Sequence, residues 1–440
     1  MGDASAQFTL GEMYDVGAGV SRNFAQAVAW YHKAAEQGHA EAQFNLGVMY
    51  ASGTGIERDD TQAVHWYRRA AEQGLAGAQY NFGVMYANNA GVREDYTQAV
   101  QWWRKAAAQG HAGAQNNLAM LYAEGKGIAQ DYAQAVAWWR KAAAQGHADA
   151  QFNLGVMYDS GTGVTQDHAQ AVEWWLKAAA QGDVSAQFSL GVRYETGKGV
   201  VQDDARAIEW YRKAAEQGDA SAQFNLGVMY ASGTGVPQDH AQAAQWWRKA
   251  AERKNVSALV NLGVMYNSGT GVAQDYAQAI EWWVKAAELG DASAQLNLGV
   301  MYDEGRGVVQ DYAQAVEWWR KAANSGDADA QLNLGVMYAR GTGVPQDHSR
   351  AVQWWRQAAD QGNASAQFNL GLSYRDGRGL PQNDSEALMW LTVATRLSGT
   401  GCTKCADVRN ALAKELPRMR LAEAEERARE WIEAFERRTQ

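Results

Sequence analysis

Apolar and small residues recur along this chain in a fixed order. In residues 219–254, Ala222, Leu226 and Tyr230 stand four apart, the spacing of one helical stripe. After a Ser-Gly-Thr-Gly turn, a second stripe runs through Ala243, Trp246, Trp247, Ala250 and Ala251. A capping residue precedes each stripe, Asp219 and Asp239. Arg248 and Lys249 crowd the last turn of the second, where cations complement the helix dipole. The pattern predicts two helices joined by a glycine-bearing turn.

The same order is written eleven times at a period of 36 residues. The repeats begin at Asp3, His39, Leu75, His111, His147, Asp183, Asp219, Asn255, Asp291, Asp327 and Asn363. Ala fills the fourth position of every repeat, Tyr the twelfth and Trp the twenty-eighth. The ninth position, inside the first helix, is usually Gly (Gly227 here), although Gly in a helix costs about 1 kcal/mol against Ala. An indole lying against the glycine would account for it, so the tryptophans are expected in the core. In the third repeat Asn89 stands for a turn glycine, a residue that tolerates the same left-handed backbone. A chain of such units is read as all-α, a right-handed superhelical α-solenoid of eleven helix-turn-helix repeats over residues 1–398. Residues 399–440 break the period. "ADVRNALAKEL" reads as one helix and Pro417 opens another, with Leu421, Ala424, Ala428, Trp431 or Ile432, and Phe435 on one face, as expected for C-terminal capping helices.

The pattern A-x-x-x-L-G-x-x-Y-x-x-G-x-G-V, followed by D-x-x-x-A-x-x-W-x-x-x-A-A-x-x-G, resembles the Sel-1-like repeat, a tetratricopeptide-like family, across residues 3–398. The resemblance implies a scaffold, adaptor or inhibitor that binds another protein, in a bacterial envelope or secreted setting, with the cytoplasm as the alternative. A branch of the family with a disulfide in each hairpin is excluded, because Cys402 and Cys405 are the only cysteines. Met1-Gly2 runs directly into the repeat, so no leader is expected within these residues.

Composition narrows the function. Hydrophobic residues make up 47% of the 440, enough for a packed core. The net charge of −9 argues against a nucleic-acid partner, and no apolar run is long enough to insert in a membrane. The eight histidines fall at repeat-defined places without metal-ligand spacing, so no metal and no cofactor are expected. Ser-Gly-Thr-Gly recurs as a turn and not as a phosphate loop. No catalytic set stands out, and the chain is read as a non-enzyme. A hydrolase-type site in the groove and helical-repeat nucleic-acid binding are the alternatives. Cys402-Thr-Lys-Cys405 is read as a local disulfide or two inert thiols.

In stacked hairpins of this kind the first helices line the concave groove. The seventh position, beside the core stripe, is Asn in nine repeats: Asn45, Asn81, Asn117, Asn153, Asn225, Asn261, Asn297, Asn333 and Asn369. A carboxamide offers a donor and an acceptor to an extended peptide; the alternative is that it bonds the next repeat and sets the stacking. Phe44, Tyr80, Phe152, Phe188 and Phe224 at the sixth position, with Val at the tenth, are candidates for an apolar floor. Glu124, Asp159 and Glu195 are among the acids at the thirteenth and fourteenth positions, which give the groove a negative sign and the expected partner a basic one. Departures from the repeat are candidate specificity marks: Asn116 with Ala119, Arg193, and Arg253-Lys254, where a changed turn is expected.

Overall fold

The computed structural model describes residues 2–398 and 402–439. The expected start of the capping segment at residue 399 and the leader reading at Met1 therefore fall outside the described residues. Each repeat folds as two helices, Ala220–Ser232 and His240–Glu252 in the repeat quoted above. Two helices, Thr403–Glu415 and Arg418–Thr439, follow the last repeat, and the described residues hold no strand. The fold is an all-α solenoid of eleven hairpins. By its contacts the chain forms two units, residues 1–222 and 223–440.

The predicted caps are in place. Asp219 Oδ1 accepts from the Ala222 amide at 2.6 Å, and Asp239 Oδ1 from the Gln242 amide at 2.9 Å. The histidines that open three repeats do the same work, His111 Nδ1 accepting from the Ala114 amide at 3.2 Å. Asn89 takes φ +55° as the residue type suggested. The change of turn expected at Arg253-Lys254 does not occur. Lys254 adopts φ +60°, and the Lys254 and Asn255 amides donate to Ala251 and Ala250 as the corresponding amides do at the Gly290–Asp291 turn. Two backbone hydrogen bonds hold the lysine in a conformation that glycine occupies elsewhere.

The core is built by the fourth and eighth positions, where Ala222 and Leu226 are fully buried, and by the second helix. The glycine and the tryptophans meet as expected, with a division of labour. The ring that covers Gly227 is Trp247, at the twenty-ninth position and 6% exposed; its Nε1 donates to the Phe224 carbonyl at 3.1 Å. The invariant Trp246 at the twenty-eighth position is only half-buried, and Lys249 lies over it at 4.0 Å. The reading of every tryptophan as core is corrected here: Trp247 fills the core, and Trp246 carries the lysine stem and charge, whereas Trp66 and Trp390 at the same position as Trp246 are buried as expected.

Asn116 and Ala119 are explained by the same contact. Ala119 bears the Cβ that the glycine lacks, and Trp139 Nε1 bonds instead to Asn116 Oδ1 at 3.1 Å. The two departures are one compensated change in packing.

Adjacent repeats are held by a glutamine pair. Gln151, at the fifth position, is buried; its Nε2 donates to the Ala143 carbonyl of the preceding repeat at 3.1 Å. Its Oε1 accepts from Gln181 Nε2 at 2.8 Å. The same pairing joins Gln43 with Gln73, Gln79 with Gln109, Gln115 with Gln145, and Gln331 with Gln361. In the eighth repeat both members are replaced together, by Leu259 and Leu289. At the chain end, Trp431 meets Trp390 edge-on at 5.6 Å, Arg427 pairs with Glu386 at 2.6 Å, and the Phe435 ring covers Gly362. Cys402 and Cys405 form a disulfide.

Candidate functional site

A first helix packs on the second helix of its own repeat and on that of the repeat before. Three such seams open to the first-helix face as cavities of the same make. Between repeats three and four the cavity is about 280 Å3, lined by Tyr96, Trp103, Asn117, Met120, Glu124 and Lys126 among others. Between repeats seven and eight His240, Trp247, Asn261, Val264 and Thr270 take the equivalent places. Between repeats ten and eleven they are His348, Trp355, Asn369, Leu372 and Arg378. Each cavity therefore joins the buried ring of one repeat to the Asn, and to the tenth-position apolar residue, of the next.

All nine seventh-position asparagines are half-buried. Asn45 and Asn81 face the hydroxyls of Tyr31 and Tyr67 in the preceding repeat. Burial raises both phenols, Tyr67 to about 12, while each Asn acts in the opposite direction. Asn117, Asn261 and Asn369 line the cavities just described. The contacts of Asn45 and Asn81 with the preceding repeat are of the kind the stacking alternative expected, and the glutamine pairs join the repeats beside them. The glutamines were missed in the sequence, although a polar residue repeated next to the invariant core Ala was a signal for them.

The sixth-position aromatics do not line these cavities. They pack along the seam: Phe44 lies against Gly77, Tyr80 stacks on His111 at 4.6 Å, Phe188 meets Tyr211 at 5.8 Å and Phe224 meets Trp247 at 6.4 Å. Phe152 is likewise half-buried against the core of its repeat. The apolar surface on this face comes from the tenth position, where Val48, Met120, Val228 and Val264 are 38–46% exposed.

The acids are mostly answered from within the chain. Glu124 pairs with Lys126 at 2.7 Å, and Glu195 accepts from the Tyr211 hydroxyl at 2.5 Å. Asp159 is held twice, by His168 Nδ1 at 2.8 Å and by Arg193 Nη2 of the next repeat at 2.6 Å. Arg193 is thus a strut between repeats five and six, with its guanidinium 5.6 Å from the Trp175 ring. Among the described residues, no three His, Cys, Asp or Glu side chains gather as metal ligands, and no helix is long and apolar enough to cross a membrane.

Comparison with known proteins places this architecture. The Sel1 repeat profile matches eleven successive segments, from residues 4–39 to residues 364–398. A crystal structure of c5321, described as a protective antigen present in uropathogenic Escherichia coli strains and displaying an SLR fold, is 38% identical. It superposes with a TM-score of 0.83 over 99% of this chain and 92% of that one. A Sel1 repeat protein from Oxalobacter formigenes is 36% identical, with a TM-score of 0.55 over 68% of this chain and 86% of its own. No curated protein is found to match the chain.

Proposed function

The chain belongs to the Sel1 repeat family, and from that premise we propose that it is a non-catalytic scaffold whose first-helix face binds an extended, basic segment of another protein. The observation that carries the reading is the repeated seam: ring, carboxamide and tenth-position apolar side chain recur at one place in three separate junctions. Each such junction offers a peptide one amide partner and one apolar contact. The net charge of −9 supports a basic segment over a nucleic acid. The likeness to the uropathogenic antigen supports a bacterial source and, for this chain, an envelope or secreted setting. A hydrolase-type site is less well supported, because Asp159 is already engaged by His168 of its own repeat and by Arg193 of the next.

The test is site-specific photo-crosslinking with benzoylphenylalanine. The label is placed at Asn261 on the first-helix face or at the exposed Glu281 on a second helix, and the full chain is exposed to extract from its native source. Crosslinks are expected at position 261 and to fade as salt rises. Crosslinks confined to position 281 would overturn the reading.

A further inference from the structure

In repeat five the chain holds a carboxylate of its own. Asp159, at the thirteenth position, pairs with His168 Nδ1 at 2.8 Å and with Arg193 Nη2 at 2.6 Å. The Arg193 guanidinium lies 5.6 Å from the Trp175 ring. Here the histidine is at the twenty-second position, the ring at the twenty-ninth, and the arginine at the eleventh of the following repeat.

The junction of repeats ten and eleven keeps the histidine and the ring and lacks the carboxylate. His348 and Trp355 stand where His168 and Trp175 stand, but the thirteenth position is Ala339. The eleventh position of repeat eleven is Ser373, where eight other repeats carry Met. That hydroxyl is turned onto its own helix, donating to the Asn369 carbonyl at 2.9 Å. The space is open: a cavity of about 230 Å3 is lined by Ala339, His348, Trp355, Asn369 and Ser373 among others.

Guanidinium groups reach this cavity by another route. Arg340, at the fourteenth position of repeat ten, and Arg378, at the sixteenth of repeat eleven, also line it. Over the eleven repeats the thirteenth and fourteenth positions hold only two bases, Arg340 and Arg375, and both fall in the last two repeats. The one acid of the lining, Asp376, is paired with Arg375 at 2.7 Å and lies 3.8 Å from Arg378. Arg340 acts on Asp303 through space and forms no ion pair with it. The cavity between repeats seven and eight is the counterpart without charge. His240, Trp247 and Asn261 line it in the same places, but Ser232 replaces Arg340, Ser268 replaces Asp376 and Thr270 replaces Arg378.

We propose that the cavity between repeats ten and eleven receives a carboxylate of the bound segment, with Arg340 and Arg378 as the cations, His348 and the Asn369 amide as further donors, and Trp355 as the wall. Asp159 shows the occupant, since it sits from within the chain among the same kinds of group. The carboxylate is a chain terminus or an acidic side chain; both accept the directed, charge-assisted hydrogen bonds that guanidinium groups offer. This assignment rests on the first-helix face being the binding surface. It gives a segment that is basic elsewhere a fixed register, with one carboxylate at repeats ten and eleven.

The probes are two pairs of peptides. Acetyl-Gly-Leu with a free carboxylate is compared with its amide, and acetyl-Gly-Asp-Gly-amide with its Asn counterpart. Affinity is measured on the full chain by saturation-transfer NMR. In at least one pair the carboxylate member is expected to bind at least about 10-fold tighter, a difference of about 1.4 kcal/mol, and the pair that shows it names the source. Arg340→Gln should erase the preference. Arg350→Gln removes the same charge from an exposed position on the adjoining second helix and should keep it. Ala339→Asp should erase it by filling the cavity from within, and this variant should melt no earlier than the wild type. No preference in either pair, a preference that survives Arg340→Gln, or an equal loss in Arg350→Gln would overturn the assignment. An earlier melt in Ala339→Asp would also count against it, because the cavity would then not accept a carboxylate. The crosslinks at position 261 report on the face alone, so failure here leaves that result standing.

Discussion

The pyrrole edge of Trp247 lies where a side chain on Gly227 would have to be. Two effects oppose each other if alanine is placed there. Helix propensity favours Ala by about 1 kcal/mol, and an overpacked core site costs about 1–3 kcal/mol. The ring is fixed by its bond to the Phe224 carbonyl and cannot retreat freely, so the clash should win. Gly227→Ala is expected to lower the denaturant midpoint modestly, and Gly227→Leu to lower it severely. Adding Phe224→Asn should recover part of the alanine loss, by rebuilding the Asn116–Ala119 arrangement. An unchanged midpoint in Gly227→Leu would refute the packing argument.

The ninth repeat has an incomplete glutamine pair. Gln295 Oε1 is buried without a partner, because Ser325 stands where other repeats place the second glutamine. Ser325→Gln should supply the missing donor and stabilise the chain by about 1 kcal/mol. Gln151→Ala should do the reverse, at about 1–3 kcal/mol, by stranding the Ala143 carbonyl and the Gln181 amide. Chemical unfolding of both variants checks the pair from each side.

His111 makes the junction of repeats three and four sensitive to acid. Burial holds its imidazole below the ordinary value, with His147 acting in the same direction, while its Nδ1 serves as an acceptor. A base that protonates less readily when folded gives stability that is complete above the ordinary histidine value. That stability is lost as pH falls through the ordinary value toward the lowered one. Between pH 7 and pH 5 the wild type should therefore lose stability. His111→Asn, which keeps the cap as Asn255 does, should lose less. Hydrogen exchange in Ala112–Glu124 at the two pH values distinguishes them.

The last two helices are expected to act as a cap. Ending the chain before Pro417 would uncover Trp390 and Glu386 and leave Gly362 without the Phe435 ring. The truncated chain should aggregate or melt earlier, as seen by light scattering and circular dichroism. A monomer with undiminished helicity and melting temperature would count against a capping role.

Periodicity made the hairpins legible because each role recurs at a fixed distance: the buried Ala222 and Leu226, the caps Asp219 and Asp239, and the small residue under a ring. Which of two adjacent rings turns inward was not legible. Trp246 and Trp247 differ by about 100° on the helix, and side-chain identity is the same. The candidate site was legible in part. Asn117, Asn261 and Asn369 do line cavities, but the partners of Asp159 and Glu195 lie 34 and 16 residues away. Those distances are set by the hairpin and the seam, and a count of charges along the chain treats such acids as free.

The glutamine pairs grip the neighbouring repeat by its peptide groups, Gln151 on the Ala143 carbonyl and Gln73 on the Gly38 carbonyl. A peptide carbonyl is the same whatever residue carries it. Junctions made this way accept any copy as neighbour, so a segment of 36 residues could be lost, gained or exchanged by recombination without a mismatch. Asp159 and Arg193 break that anonymity. Arg193 needs the repeat of Asp159 beside it, so a crossover between them would leave its largely buried guanidinium without its carboxylate. The pair acts as an address, fixing two copies in order within an array whose glutamine-joined members are otherwise interchangeable.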